Sequence, residues 1–299
     1  MKVISAVSYT YPQDFSERWE KEVFRPLRDH KATIQLDDGA AIEAAAFELV
    51  EFGASSVHAC VSTQAGCKFG CHFCSSGLNG LSRHLSADEI VAEVFRIAEV
   101  AKVPRFDHIV YMGIGEPLDN FDNVVASIRR LNQDPWYHSR ISLATVGILP
   151  KLRCLAQESL PLRMLWVSLH AATDEKRQEI MPIARTYSVE ETVREASFFR
   201  NATGTETWIN YMILAGFNDS QTDAEALAQL LAKNEPDLAV MVTIPNGAVQ
   251  GYTAGTMEDD HVFMERLTTC GVVNRMARFF AAGRPLKTGC GEFIFHPQK

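Results

Sequence analysis

Four of the seven cysteines lie within the stretch CVSTQAGCKFGCHFC, which runs from Cys60 to Cys74. Three of them, Cys67, Cys71 and Cys74, have the spacing C-x3-C-x2-C. Three thiolates from one short loop can hold a metal centre, but they leave it one protein ligand short. An iron–sulfur cluster with one open iron fits this set better than structural zinc, which normally takes four protein ligands.

Two other interpretations of the cysteines stay open at this point. Zinc could complete its ligand set with a histidine, because His72 lies inside the loop and His58 and His84 flank it. A disulfide is the weakest interpretation. The sequence shows no secretory signal and no long apolar run, so we expect a cytoplasmic protein without a membrane span, whose thiols stay reduced.

Size and charge limit the class of protein. The 299 residues suit one large domain, with or without a small appendage. A net charge of −8 argues against a protein that coats nucleic acid by bulk electrostatics. Residues 270–299 are nevertheless basic, with Glu292 opposed by Arg275, Arg278, Arg284, Lys287 and Lys299.

Strands and helices must position the cysteine loop. The first thirty or so residues are predicted to be an irregular lead followed by a short helix at FSERWEKEVFRPL. Alternating apolar residues at Ile34, Leu36 and Ile42, interrupted by Asp-Asp-Gly, then predict a β-hairpin.

From Val57 onward, predicted strands alternate with helices, which indicates an α/β fold with a parallel sheet. The strand candidates are VHACVS, FDHIVYM, RISLAT, RMLWVSL, TWINYMIL and LAVMVTI. Capping boxes at Ser86-x-x-Glu89 and Ser188-x-x-Glu191 mark two helix starts. Periodicity does not choose between a doubly wound sheet and a barrel. In both, functional residues lie at the carboxyl ends of the strands.

The cysteine spacing, with Phe73 just before the third cysteine, resembles the signature of the radical S-adenosylmethionine (SAM) enzymes. The resemblance implies a [4Fe–4S] cluster on Cys67, Cys71 and Cys74. It also implies that SAM bound at the open iron is cleaved to a 5′-deoxyadenosyl radical.

Several segments in the same order resemble the methyl-cysteine type of radical SAM methyltransferase, from about Thr33 to Phe293. They are CVSTQAGCKFGCHFCSSGLNGLSRHL, MGIGEPLDNFDNV, TVGILP, VSLHAATDEKRQEIMPI, IPN and GCGEF. This resemblance implies methylation of an adenine carbon, C2 or C8, in ribosomal or transfer RNA. It implies a partial (β/α)6 barrel over residues 57–299, preceded by a short helix and β-hairpin extension over residues 1–56. We also expect a flavodoxin- or ferredoxin-type reductant and a monomer.

The same resemblance assigns the residues that contact SAM. Gly115 would let the backbone approach the ligand, and Glu116 would accept a hydrogen bond from its amino group. The segment Ser168–Leu169–His170 would bind the adenosyl part, together with Asn246.

Two further cysteines and one glutamate complete the implied site. Cys290 would carry the methyl group, and Cys60 would release the crosslinked product by forming a disulfide with it. Glu43 would be the general base. From the residues alone, Cys60 and Cys290 could instead be small buried apolar side chains.

The chain also departs from the family pattern. Only about thirty residues precede the hairpin, where RNA-modifying members have a helical accessory domain. Ala144 stands in place of a serine, and Gly247 in place of a proline. These departures motivate a second hypothesis, the same chemistry on a small adenine-containing molecule. A third hypothesis is a zinc or iron–sulfur module without catalysis.

Overall fold

The computed structural model describes residues 1–12, 24–51, 53–234, 238–245, 251–272, 276–278, 284–289 and 291–297. Ten strands of these residues form one sheet: β1 (Lys2–Thr10), β2 (Phe24–Gln35), β3 (Ala41–Glu51), β4 (Ala54–Val61), β7 (His108–Tyr111), β8 (Ile141–Thr145), β9 (Leu162–Ser168), β10 (Glu206–Met212), β12 (Ala239–Thr243) and β14 (Met276–Arg278), neighbours in this order. Two small antiparallel pairs join β5 (Gln64–Gly66) to β6 (Leu81–His84) and β11 (Leu214–Ala215) to β13 (Thr253–Ala254).

The first four strands of the sheet are antiparallel. The predicted hairpin is confirmed as β2 and β3, with Ile34 opposite Ile42. The predicted N-terminal helix falls mostly on residues 13–23, which lie outside the described residues. Its last part is wrong, because Phe24–Leu27 begins β2 and Phe24 pairs with Glu51. The predicted irregular lead is strand β1.

From β4 onward the strands are parallel. All six predicted strands of the partial (β/α)6 barrel are confirmed, as β4, β7, β8, β9, β10 and β12. The short strand β14 extends the sheet beyond them. Since β3 pairs with β4, the sheet is continuous across residue 56. The division into units 1–56 and 57–299 stays a prediction.

Seven α-helices connect or flank the strands in the described part of the chain. They are α1 (Ala87–Ala101), α2 (Phe121–Leu131), α3 (Leu149–Gln157), α4 (Asp174–Ile180), α5 (Val189–Thr203), α6 (Gln221–Asn234) and α7 (Met257–Thr269). Both predicted capping boxes are present, at Ser86 for α1 and at Ser188 for α5. None of the described helices combines the length and apolar character needed to cross a bilayer.

The alternation of side chains gives the parallel sheet two different faces. One face packs on the helices through fully buried side chains such as Tyr111, Leu143 and Val167. The intervening residues point the other way, and Ala144 and Ser168 among them line a cavity. One face of the sheet therefore packs against the hydrophobic core, and the other face is available for a binding site.

Candidate active site

A cavity of about 110 Å³ lies at the carboxyl ends of the parallel strands, the position expected for a functional site in this architecture. The cysteine loop, several strand ends and the C-terminal segment all contribute to its wall. The lining residues are Cys67, Gly70, Cys71, Phe73, Cys74, Gly77, Met112, Glu116, Ala144, Thr145, Val146, Ser168, His170, Asn210, Met212 and Gly291.

The three cysteines of the C-x3-C-x2-C motif reach this one cavity from the loop between β5 and β6. Burial raises the pKa of the Cys67 thiol to about 12, and it also raises the pKa of Cys71 and Cys74. A buried thiolate is stable only when a positive charge, such as a metal ion, lies beside it. The donor set therefore fits a metal cluster that takes three thiolates from one side.

Two glycines allow the loop to close tightly. Gly66 has a φ of +83°, and a Cβ on it would lie 1.9 Å from the carbonyl oxygen of Gly80. The backbone of Cys67 in turn donates to that same oxygen at 3.0 Å. A side chain at position 66 would therefore separate the two ends of the loop.

The histidines considered for a zinc site lie elsewhere. His58 contacts Ser56 and Glu51 near the start of β4, and His84 contacts Gln64. His72 is exposed and does not line the cavity. Within the described ranges, no three His, Cys, Asp or Glu side chains are placed to hold a single metal ion. The structure thus gives no support to the zinc interpretation.

Glu116 is a buried carboxylate at the cavity wall, held by a dense set of donors. Thr145 Oγ1 donates to Oε1 at 2.5 Å, and the amide of Val146 donates to Oε2 at 2.7 Å. Burial nevertheless raises the pKa of Glu116 to about 7. A positively charged or hydrogen-bond-donating ligand group beside Glu116 would stabilise its charged form, which burial disfavours. Gly115 has a φ of +102°. A Cβ on it would lie 2.5 Å from the Cβ of Gln64, so a larger residue does not fit at this position.

The segment Ser168–Leu169–His170 lies at the end of β9, as the sequence predicted, with Ser168 as the last residue of the strand. Ser168 and His170 line the cavity, whereas Leu169 is fully buried behind it. Burial lowers the pKa of His170 to about 3, so its ring is neutral, and Nδ1 accepts the amide hydrogen of Met212 at 3.1 Å. The ring packs edge-on against Phe73, with centroids 4.7 Å apart. The cysteine loop is thus in contact with the strand end.

The C-terminal segment from Gly291 to His296 lies between the cysteine loop and β3. The amide of Ser75 donates to the carbonyl oxygen of Gly291 at 2.6 Å, and Ser76 Oγ donates to that of Phe293 at 3.1 Å. On the other side, His296 and Ala41 exchange two backbone hydrogen bonds. Cys290 lies outside the described residues, as does Asn246, but Gly291 beside it lines the cavity.

Glu43 and Cys60 do not line the cavity. Glu43 is buried on β3, where its carboxylate accepts from the Ile294 amide at 3.0 Å and pairs with Lys31 at 2.9 Å. It therefore contacts the C-terminal segment four residues after position 290. Cys60 lies on β4 between Ala45 and Val110. The structure gives no support to the predicted disulfide, because the position of Cys290 is not described.

Three further residues of the site were missed from the sequence. Asn210 lines the cavity from the end of β10, and Thr145 holds Glu116. Arg177 on α4 is fully buried beneath the wall. Their roles follow from contacts between distant segments. In the sequence, the one indication for Thr145 and Asn210 is that each lies near the end of a predicted strand.

Comparison with known proteins agrees with this geometry. Residues 61–231 match the Radical SAM superfamily. The fold and the cysteine-lined cavity accordingly define a radical SAM enzyme, whose cofactors are a [4Fe–4S] cluster and SAM.

Similar proteins and one solved structure show to which group of radical SAM enzymes the chain belongs. The chain is 36% identical over 269 residues to the probable dual-specificity RNA methyltransferase RlmN of Dictyoglomus turgidum, covering 88% of this chain and 74% of that protein. It is 34% identical over 289 residues to the protein of the same name from Thermotoga neapolitana, covering 95% and 80%. A radical SAM methyltransferase from Sphaerobacter thermophilus superposes with a TM-score of 0.80 at 29% identity, covering 92% of this chain and 82% of that one. The chain belongs to the RlmN family of radical SAM methyltransferases.

Proposed function

We propose that this methyltransferase modifies an sp² carbon of adenine, C2 or C8, in RNA, with Cys290 as the carrier of the methyl group. The observation that supports this most directly is the place of Gly291. It lines the same cavity as Cys67, Cys71 and Cys74, and it is the residue that follows Cys290 in the sequence. The names of the relatives support RNA as the substrate.

Each residue of the site has a role in this proposal. Cys67, Cys71 and Cys74 hold the cluster, which together with SAM supplies the 5′-deoxyadenosyl radical when both are bound. Glu116 accepts hydrogen bonds from the amino group of SAM. Ser168 and His170 contact its adenosyl part from the end of β9, with Asn246 and with the backbone at Gly115 and Leu169 as the remaining contacts.

Cys290 acts twice. Its thiolate takes the methyl group of a first SAM by displacement, releasing S-adenosylhomocysteine. A hydrogen atom would then pass from the S-methyl group to the radical that a second SAM supplies, and the new carbon radical would add to the ring. Glu43 would remove the ring proton, and the adduct would return one electron to the cluster, which leaves a closed-shell crosslink. The Cys60 thiolate would attack the carrier sulfur and break its bond to the methylene carbon, forming a Cys60–Cys290 disulfide, while the methylene carbon takes up a proton and becomes the methyl group of the released base.

Nucleoside mass spectrometry tests the proposal. Anaerobically reconstituted enzyme, a one-electron reductant and SAM are incubated with RNA from a host that lacks its own adenine C-methyltransferase. We expect a new C-methyladenosine with the wild-type enzyme and none with Cys290→Ala. Cys154→Ala is the matched control, since Cys154 is an exposed cysteine on α3. Full methylation by Cys290→Ala would contradict the proposal.

A small adenine nucleotide is the second candidate substrate, and the net charge of −8 favours it. Salt distinguishes the two. Binding of an RNA through several phosphates weakens steeply as salt rises, whereas binding of a single nucleotide changes little. RNA affinity that stays flat between about 50 and 200 mM salt would favour the small substrate.

A further inference from the structure

Arg177 is the largest fully buried side chain of the described residues. It points from α4 into the carboxyl ends of the parallel strands. Nη2 donates to the carbonyl oxygens of Val146 and Ser168 at 3.1 and 3.2 Å, and Nε donates to that of Leu169 at 3.3 Å. Nη1 donates to the carbonyl oxygen of Tyr187 at 3.1 Å. One guanidinium therefore ties together the segments that follow β8 and β9, both of which line the cavity.

All of these acceptors are neutral, although the guanidinium is charged. Burial lowers the pKa of Arg177 to about 10, which still leaves it cationic at neutral pH. Within the described residues it forms no ion pair, and the carboxylate of Asp174 on the same helix accepts from the Val189 amide instead. Buried charges in proteins are normally paired. The Asp174 carboxylate attracts the guanidinium electrostatically without an ion-pair contact, so the cation can still stabilise a further negative charge nearby.

The cysteine loop is where that charge would arise. His72 in the loop donates its amide hydrogen to the carbonyl oxygen of Ile180, the last residue of α4, at 2.9 Å. Cys71 and Ile180 belong to one apolar cluster, so α4 packs directly behind the loop. Val146 and Ser168, whose carbonyl oxygens accept from Nη2, line the same cavity as the three cysteines of the loop. The buried cation therefore lies behind the wall of the cavity that the proposed cluster would occupy.

We propose that Arg177 is a positioning residue whose buried charge stabilises the reduced state of the cluster, so that a low-potential electron donor can reduce it. Reduction adds one electron from the donor, a reduced flavodoxin or ferredoxin, and forms or breaks no bond. The added negative charge is attracted to the guanidinium in surroundings where water screens little. The inference rests on the proposed cluster ligands and is independent of Cys290 and of the substrate.

Redox titration of the reconstituted protein without SAM, followed by electron paramagnetic resonance, tests this role. Arg177→Met removes the charge. At a given potential, we expect the ratio of reduced to oxidised cluster to fall about tenfold, which is about 59 mV for a one-electron couple. Lys176→Met is the matched control. It removes one positive charge from the neighbouring residue, whose ammonium contacts Asp223 and the Phe217 carbonyl instead. The control should keep the wild-type potential.

Arg177→Gln provides a second measurement if Arg177→Met does not fold, because its neutral side-chain amide can still donate to a carbonyl oxygen. We expect the same fall of about 59 mV in the potential. A wild-type potential in either neutral variant, with full cluster content, would overturn the inference. Absence of any cluster in the wild-type protein would instead overturn the proposed ligand set.

Discussion

Asn79, in the cysteine loop, donates a hydrogen bond of 3.0 Å from its side-chain amide to the carbonyl oxygen of Phe295, 216 residues later in the chain. This contact joins the proposed source of the radical to the segment that follows the proposed methyl carrier. The two must approach each other for hydrogen abstraction, so their relative position should affect methyl transfer more than cleavage of SAM.

We therefore expect Asn79→Ala to uncouple the two reactions. Loss of one neutral hydrogen bond costs about 1 kcal/mol, enough for a roughly fivefold loss of methylated product. Production of 5′-deoxyadenosine should be nearly unchanged, and the ratio of the two products measures the uncoupling. Asn234→Ala is the control, since the Asn234 amide donates to the Leu230 carbonyl on α6. Equal loss of both products in Asn79→Ala would contradict this prediction.

Glu116 makes SAM binding dependent on pH. Its pKa is raised to about 7 by burial, so the carboxyl is increasingly neutral below that pH and charged above it. Only the charged form attracts the ammonium group of SAM. We expect the Kd for SAM to rise about tenfold between pH 8 and pH 6. Glu116→Gln should bind weakly at both pH values.

Equilibrium dialysis of anaerobic enzyme against labelled SAM measures both quantities. The control is Glu99→Gln, because Glu99 is exposed on α1 and pairs with Arg96. A pH dependence that survives in Glu116→Gln would assign the titration to another group.

Gly66 is expected to be essential for closing the cysteine loop. Gly66→Ala would place a Cβ 1.9 Å from the Gly80 carbonyl oxygen, at a positive φ as well. We expect the reconstituted variant to lose most of its iron and sulfide. Gly204→Ala is the matched control, since Gly204 also has a positive φ but no atom within 4 Å of the added Cβ. It should retain iron and lose only about 1 kcal/mol of unfolding free energy. Equal iron contents in the two variants would be the contrary result.

Local patterns predicted the parts of the fold that local physics determines. The capping boxes at Ser86 and Ser188 and the alternation around Ile34 and Ile42 are short-range signals, and each is present in the structure. The predicted helix failed at Phe24, whose strand conformation depends on pairing with a residue far along the chain. Long-range pairing of this kind overrides local propensity.

Residue type and position in the sequence led to the side chains that line the cavity. Spacing singled out Cys67 and its two partners, the end of a strand suggested Glu116, and all four line it. No periodicity indicates that Arg177 donates to carbonyls that follow two different strands, or that Glu43 contacts Ile294. These contacts arise when α4 and the C-terminal segment pack onto the sheet, so a sequence pattern does not contain them.

Lys31 and Glu43 form an ion pair of 2.9 Å whose side chains are only 16% and 7% exposed. Lys31 Nζ also donates to the Lys287 carbonyl at 3.3 Å, and Glu43 accepts from the Ile294 amide, so the pair connects β2 and β3 to residues before and after position 290. Lys31→Met would remove the nearer basic partner of a buried carboxylate and leave it the His296 ring at 3.3 Å and the Ile294 amide. We expect it to lose about 3 kcal/mol of unfolding free energy. Glu43→Gln in the Lys31→Met background removes the buried charge and should recover part of that loss.

Urea denaturation of the two single variants and the double variant completes a thermodynamic cycle. A coupling energy well above 0.5 kcal/mol is expected, because the pair shares a shielded environment. Arg96→Met with Glu99→Gln provides the exposed reference cycle, since those side chains are 42% and 62% exposed and solvent screens them. If the two cycles gave the same coupling, the Lys31–Glu43 pair would be no more than a surface contact, and the C-terminal segment would depend on its other contacts, among them the hydrogen bonds from Ser76 and Asn79.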